Sequence, residues 1–329
     1  MKLATYKDGS RDGQLVVVSR DLSMAHYATG IASRLQQVLD DWNFMSPQLQ
    51  DLSEALNQGK VRHAFAFEPA RCMAPLPRAF QRVDASAYLN HAQLLSKASG
   101  AEGLASAQIS PLMYQGGSDA LLGPCDGIVA ASEAFGIDFA AEIAVITADV
   151  SMRASAEQAL DSIRLVVLAN DVALRNLMPD EQAKGFGFVH SKPATALSPV
   201  AVTLDELGDA WKGGRLHLTL QSSWNGRKVG MCEAGPEMKF HFGELIAHLC
   251  KTRNLRAGSV IGSGAVSNQN ASHGYSCIAE KRALETIKDG APKTAYMKFG
   301  DTIRIEAKGR DGVSVFGAIE QEVVPLLTE

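Results

Sequence analysis

Glu142 is the odd residue in an otherwise apolar stretch. Residues 137–150 read Ile-Asp-Phe-Ala-Ala-Glu-Ile-Ala-Val-Ile-Thr-Ala-Asp-Val, a β-branched and aromatic run with the look of a strand. An unpaired carboxylate on a buried strand costs several kcal/mol, so it protonates or finds a cation. Residues 165–171, Leu-Val-Val-Leu-Ala-Asn-Asp, repeat the anomaly by ending an apolar run in Asp171. Two strands that each deliver a carboxylate to one place make a site for a hard cation, because Mg²⁺ and Ca²⁺ prefer oxygen ligands. The competing reading has Glu142 facing solvent and Asp171 capping the next helix. Asp84 and His91 lie seven residues apart, near two helical turns. With Asp84 just before a helix and His91 on it, both can address one pocket.

Other chemistries lack their residues. Gly274-Tyr275-Ser276-Cys277-Ile278 comes nearest to a serine-esterase elbow and misses its last glycine. Gly185-Phe186-Gly187 lacks the third glycine of a dinucleotide fingerprint, and there is no P-loop and no His-Glu-x-x-His. His190, His217, His241, His248 and His273 show no metal-ligand spacing and read as solvated or hydrogen-bonded histidines.

The elements that must position these groups are mostly strands. Residues 1–7 and 14–19 predict two short strands about a turn. Residues 31–42 predict a helix, and Ser46-Pro47 opens another, with Ser46 as N-cap, Pro47 at the first helical position and Gly59 beyond the end. Three prolines between residues 68 and 77 favour an extended connector. Residues 86–99 are helix-like, and residues 112–119 and 185–193 are glycine-bearing loops. Ser155 and Gln158 form a capping box. Asn225-Gly226, between residues 215–224 and 227–233, is the strongest hairpin signal in the chain. Residues 242–254 predict a helix with one apolar face. Residues 259–264 predict a short strand into a tight turn, and residues 301–308 and 313–320 a final hairpin across residues 309–312. Regular strand–helix alternation is missing, which disfavours a doubly wound parallel fold. A mixed, mostly antiparallel roll or barrel of α+β class fits better.

Composition bounds the partners. The 329 residues are 46% hydrophobic and 21% charged with a net charge of -4, enough apolar content for a packed core. Nothing in that balance attracts nucleic acid or an anionic membrane. No apolar run nears the ~20 residues of a membrane span, and the first residues lack a signal-peptide stretch. Five scattered cysteines without Cys-x-x-Cys spacing point to reduced thiols in a cytoplasmic protein.

Taken in order, the polar residues and glycine loops from residue 75 onward resemble the fumarylacetoacetate hydrolase family. The blocks are Asp84 to His91, Tyr114-Gln115-Gly116-Gly117, the Glu142 strand, Asn170-Asp171 through Arg175, Gly187 through Lys192-Pro193, Ser263-Gly264, and Tyr275 to Glu280. The resemblance covers about three quarters of the chain and implies a fumarylacetoacetase-like catalytic domain over residues 75–329 behind a small N-terminal α/β domain over residues 1–74. It implies hydrolysis of a carbon–carbon bond in a β-diketo acid, in the breakdown of tyrosine or other aromatic compounds. Asp84, Glu142 and Asp171 would ligate Mg²⁺ or Ca²⁺, with Mn²⁺ a third option. His91 would activate water and Glu280 would orient it. Lys192 would stabilise the oxyanion or leaving group. Tyr114 would help hold a substrate carboxylate, and Arg175 would anchor charge near the metal. The family also implies a homodimer.

The chain departs from that family at two places. Members carry Glu-x-Glu on the central strand, whereas here it reads Ala140-Ala141-Glu142. Alternate strand residues share a face, so Ala140 removes one carboxylate from the cage and weakens the expected metal site. Ala265 replaces the threonine that often follows the Ser-Gly pair. Two further readings therefore stand beside hydrolysis. One is decarboxylation, hydration or isomerisation of an oxo-acid on the same scaffold. The other is a metal-deficient protein that binds its ligand without turnover.

Overall fold

The chain, described here by a computed structural model at residues 1–100, 109–309 and 311–327, is built around one long mixed sheet. Its strands run in the order Phe65–Ala66, Met24–Tyr27, Gln14–Val18, Lys2–Tyr6, Ala201–Thr203, Ile163–Asn170, Ala141–Thr147, Val260–Gly262, Arg82–Ala85, Met113–Gly116. Neighbours pair antiparallel except Val260–Gly262 with Arg82–Ala85. A second sheet orders Arg227–Glu233, Thr219–Trp224, Thr302–Lys308, Ile319–Pro325 and Ile128–Ala130. The class is the expected α+β, with mixed sheets and few helices.

The central strands are buried on both faces. Ile143, Val145, Val166 and Leu168 belong to one apolar core. Ala144, Ile146, Leu165 and Val167 belong to another, which also takes in Leu3, Leu15 and Val17. That double burial explains why residues 141–147 and 163–170 read as near-continuous apolar runs. The N-terminal strands join the same sheet through Lys2↔Val202 and Leu3↔Ala201.

Local expectations hold where short-range chemistry decides. Ser155 accepts from the Gln158 backbone and the Gln158 side chain from the Ser155 backbone. Asn225 and Gly226 take positive φ, 49° and 72°, at the tip of the expected hairpin. Other boundaries move. The expected strand over residues 137–150 is two, Ile137–Asp138 and Ala141–Thr147. Helix Trp42–Asn57 runs through Pro47, so Ser46 is not its cap. Its buried Leu49, Ser53 and Leu56 supply tertiary packing that outweighs the missing proline N–H. In the last hairpin the second strand is Ile319–Pro325, with Ile305 opposite Ile319; Arg310 of the intended turn lies outside the described residues. All five cysteines are unpaired. Among the described residues no helix is long and apolar enough to cross a membrane.

Candidate functional site

Four adjacent strands bring the acids together. Asp84 lies in Arg82–Ala85, Glu142 in Ala141–Thr147, and the strand between them places Gly262 beside both, opposite Asp84 and Ala144. A Cβ on Gly262 would sit 2.1 Å from Asp84 Oδ1 and 3.4 Å from Glu142 Oε2, so glycine leaves the space that the two carboxylates occupy. Asp171 follows the strand Ile163–Asn170 directly, its N–H donating to the Ala140 carbonyl at 3.0 Å. Carboxylate oxygens of Asp84, Glu142 and Asp171 all lie within 4.8 Å of one another, and all three residues are buried.

Their charges are set by different neighbours. Burial, then the charge of Asp171, pushes the Asp84 carboxyl up. Burial, then Asp84 and Asp171, pushes Glu142 well up. Asp171 goes the other way: burial opposes its ionisation, but Arg82 and Lys192 hold it well below the usual carboxylate range. Arg82 Nη2 donates to Asp171 Oδ1 at 2.7 Å and Thr195 Oγ1 to the same oxygen at 2.8 Å. Lys192 Nζ donates to Oδ2 at 2.5 Å, and the Tyr114 hydroxyl donates there as well.

Three buried carboxylates so close fit a hard divalent cation. Glu142 Oε2 is buried with no hydrogen-bond partner among the described residues, and it faces the neighbouring Asp84 carboxylate, whose charge helps push Glu142 up. The fit is uneven. A carboxylate offers about four lone-pair positions, and Arg82, Thr195, Lys192 and Tyr114 occupy that many on Asp171. Asp84 and Glu142 are less occupied: Asp84 Oδ1 accepts from the Gly264 N–H at 3.2 Å, and Glu142 Oε2 has no hydrogen-bond partner among the described residues.

His91 and Glu280 form the second group. His91 is on helix Leu89–Ser99, Glu280 in the first turn of helix Ile278–Asp289. His91 Nδ1 lies 3.6 Å from Glu280 Oε2. That oxygen is buried and unpartnered, while Glu280 Oε1 accepts from Ser267 Oγ at 2.6 Å. At 3.6 Å the imidazole and carboxylate are poised next to each other, short of a formed hydrogen bond. Cys277 Sγ is 3.9 Å from the same ring nitrogen, and burial raises that thiol far above its ordinary value, leaving it protonated. One cavity of about 370 Å³ is lined by Asp84, Glu142, His91, Tyr114, Lys192 and Arg175. Ala140 and Ala265 line it as well.

Arg175 lines this cavity and also pairs with an acid. Its Nε donates to Asp138 Oδ2 at 2.8 Å. Asp138 also accepts from the backbone N–H of Ile278 at 2.6 Å and of Ala279 at 3.0 Å. Arg175 thus braces the acid that caps the Glu280 helix. Sequence reading missed Arg82, Thr195 and Asp138. Arg82 is two residues before Asp84, and period-two alternation places it on the same strand face. Asp138 continues the alternation of Ala140 and Glu142. Nothing local marks Thr195.

The comparisons agree with this architecture. A model of the fumarylacetoacetate (FAA) hydrolase C-terminal region matches residues 82–324, and one of fumarylacetoacetase N-terminal domain 2 matches residues 1–78. An uncharacterised Archaeoglobus fulgidus protein is 26% identical over 154 residues, 47% of this chain and 58% of that protein; the chain spans less than two thirds of this curated relative. Solved structures resemble the fold over the full length. Fumarylacetoacetate hydrolase from Exiguobacterium antarcticum is 18% identical with a TM-score of 0.66, covering 99% of this chain and 100% of that one. Maleylpyruvate hydrolase from Sphingobium sp. SYK-6, in complex with manganese (II) ion and pyruvate, is 16% identical with a TM-score of 0.65 over 99% and 100%. The 2-hydroxyhepta-2,4-diene-1,7-dioate isomerase from Mycobacterium marinum is 16% identical with a TM-score of 0.62 over 100% of both chains.

Proposed function

The chain belongs to the fumarylacetoacetate hydrolase family, and on that premise we propose that it hydrolyses a carbon–carbon bond in a β-diketo acid such as an acylpyruvate. The observation that carries this reading is the His91–Glu280 pair, 3.6 Å apart, with His91 facing the cavity of the carboxylate cluster. A base beside a metal-type site is needed to activate water and is superfluous for simple decarboxylation.

Asp84 and Glu142 would hold the divalent ion, with Asp171 behind them, and Mg²⁺, Ca²⁺ and Mn²⁺ all suit oxygen ligands. Bound there, such an ion supplies Lewis-acid stabilisation of an enolate. His91 takes a proton from water as hydroxide adds to the acyl carbonyl. Glu280 fixes the tautomer of the neutral ring and, once the ring is protonated, pairs with the imidazolium. The carbon–carbon bond then breaks, its electrons pass into the departing enolate, and His91 returns the proton to carbon. A carboxylic acid and a methyl ketone result, pyruvate in the case of an acylpyruvate. Lys192, held on Asp171 Oδ2, keeps further N–H groups for developing negative charge, whereas the Tyr114 hydroxyl gives its one hydrogen to the same oxygen.

The test is loss of diketone absorbance with acylpyruvates in the presence of Mn²⁺ or Mg²⁺. His91→Ala should lower kcat by about 10²–10⁴-fold and leave metal affinity unchanged. Wild-type protein that cleaves no acylpyruvate, alone or with Ala140→Glu, would reject the reading. Isomerisation of an unsaturated oxo-acid is the second reading. It is favoured by the similar fold of a 2-hydroxyhepta-2,4-diene-1,7-dioate isomerase, and double-bond migration without cleavage would identify it. A cytoplasmic homodimer acting in aromatic breakdown is part of the same proposal.

A further inference from the structure

A nitrogen, a sulfur and an oxygen converge beside the cavity. His91, Cys277 and Glu280 each offer an atom within 4.8 Å of the other two. His91 Nδ1 is 3.6 Å from Glu280 Oε2 and 3.9 Å from Cys277 Sγ. Cys277 is fully buried and Glu280 only 2% exposed, yet Glu280 Oε2 has no hydrogen-bond partner among the described residues. A carboxylate oxygen buried in that way lacks the compensation that burial demands. His91 lines the cavity, which gives the group a side from which an ion can enter.

The donor set decides which ion. Mg²⁺ and Ca²⁺ take oxygen ligands, whereas a mixed nitrogen, sulfur and oxygen set suits Zn²⁺. Zinc bonds of about 2.0–2.3 Å at tetrahedral angles put ligand atoms about 3.4–3.6 Å apart. The two separations from His91 Nδ1 therefore need to close by only about 0.3 Å. Glu280 has the freedom to close the third, because Ser267 holds its Oε1 and no hydrogen bond holds its Oε2.

Charge balances as well. A thiolate and a carboxylate cancel a divalent ion beside a neutral imidazole, so the loaded group is neutral where Cys277 packs with Ala140, Ala265, Ala279 and Leu95. Cys277 is the N-cap of helix Ile278–Asp289, and a helix N-terminus favours thiolate. On loading, the S–H bond breaks, an S–Zn bond forms and the proton leaves to solvent.

We propose that His91, Cys277 and Glu280 form a Zn²⁺ site separate from the carboxylate cluster, with water completing the tetrahedron. Zinc on Nδ1 leaves the ring hydrogen on Nε2, so His91 then has no free lone pair with which to take a proton. Zn²⁺ thereby inhibits the hydrolysis proposed above. That consequence rests on His91 as the base; the site itself does not.

Co²⁺ reports the site without turnover. Wild-type protein titrated with Co²⁺ in excess Mg²⁺ should develop a thiolate-to-cobalt charge-transfer band in the near ultraviolet, and a stoichiometric amount of Zn²⁺ should bleach it. Cys277→Ser should remove the band, and Cys125→Ser, at the exposed thiol, should keep it. His91→Ala should weaken Co²⁺ binding by at least about tenfold. No band in the wild type, a band that survives Cys277→Ser or is lost with Cys125→Ser, or an unchanged affinity in His91→Ala overturns the proposal. Activity separates the two readings. If the band behaves as expected while acylpyruvate cleavage in Mg²⁺ persists with stoichiometric Zn²⁺, His91 is not the base and the zinc site stands. If the band behaves as expected and no acylpyruvate is cleaved with any ion, the hydrolase reading fails and the zinc site again stands.

Discussion

Asp171 shows how a residue of the right type can be in the right place and still be engaged elsewhere. Its oxygens accept from Arg82, Thr195, Lys192 and Tyr114, so its charge is neutralised before any metal arrives. Arg82 is the unusual partner. It is buried, and its guanidinium fits because residue 116 has no side chain: a Cβ there would lie 2.1 Å from Nη1. A fixed cation beside three carboxylates repels a divalent ion. Arg82→Met should therefore tighten Mn²⁺ binding by at least about tenfold, read by calorimetry or by the free-Mn²⁺ electron paramagnetic resonance signal, whereas Arg82→Lys should not. Equal affinity in the methionine variant would show that Asp171 is not restrained by this charge. Ala140→Glu adds a carboxylate to the wall that Ala140 lines. It should also tighten the ion by about tenfold or more, and no gain in the same titration would mean that residue 140 does not reach the ligand set.

At the scale of elements, two acids hold the pieces that carry the chemistry. Asp138 ties the start of helix Ile278–Asp289 to Arg175, which fixes the turn bearing Glu280. Glu181, on helix Met178–Lys184, gathers the loop that delivers Lys192. It accepts from the N–H groups of Val189, His190 and Ser191 at 3.0, 2.7 and 3.1 Å, and from the Ser191 hydroxyl. That hydroxyl first, then the backbone donors against the opposing pull of burial, holds Glu181 down to about 2 from 4.5. A depressed folded value means that ionised Glu181 stabilises the fold above the unfolded value and that the contribution fades as pH falls toward the folded one. Glu181→Gln should thus lower the Tm relative to wild type at pH 7, and the gap should shrink between pH 4.5 and pH 2. A gap independent of pH in thermal scans would assign the effect to packing instead.

For the whole molecule, the long sheet makes one body of two sequence blocks. Leu3 is fully buried and shares a core with Leu165, Val167 and Val260, so the N-terminal strands and the strands under the carboxylates depend on common packing. Leu3→Ala should destabilise by about 2–5 kcal/mol and shift a single calorimetric transition downward. A transition that splits, with the later part unmoved, would show that residues 1–74 melt independently. Removing divalent ion should leave this transition single, because the main cores are apolar on both faces of the sheet.

The sequence by itself settled what alternation and short-range chemistry can settle. Acid-bearing apolar runs marked Glu142 and Asp171, Asn-Gly marked the hairpin, Ser155 with Gln158 marked a cap, and the order of blocks marked the family. It also exposed the loss at Ala140, since strand neighbours two apart share a face. What it could not carry was partner choice across the sheet. Asp171 meets Arg82 from 89 residues away, Arg175 turns to Asp138, and Pro47 is absorbed into a helix by the core beneath it. Those outcomes depend on which side chains are left without water once distant strands pair, and burial is decided only by the assembled fold.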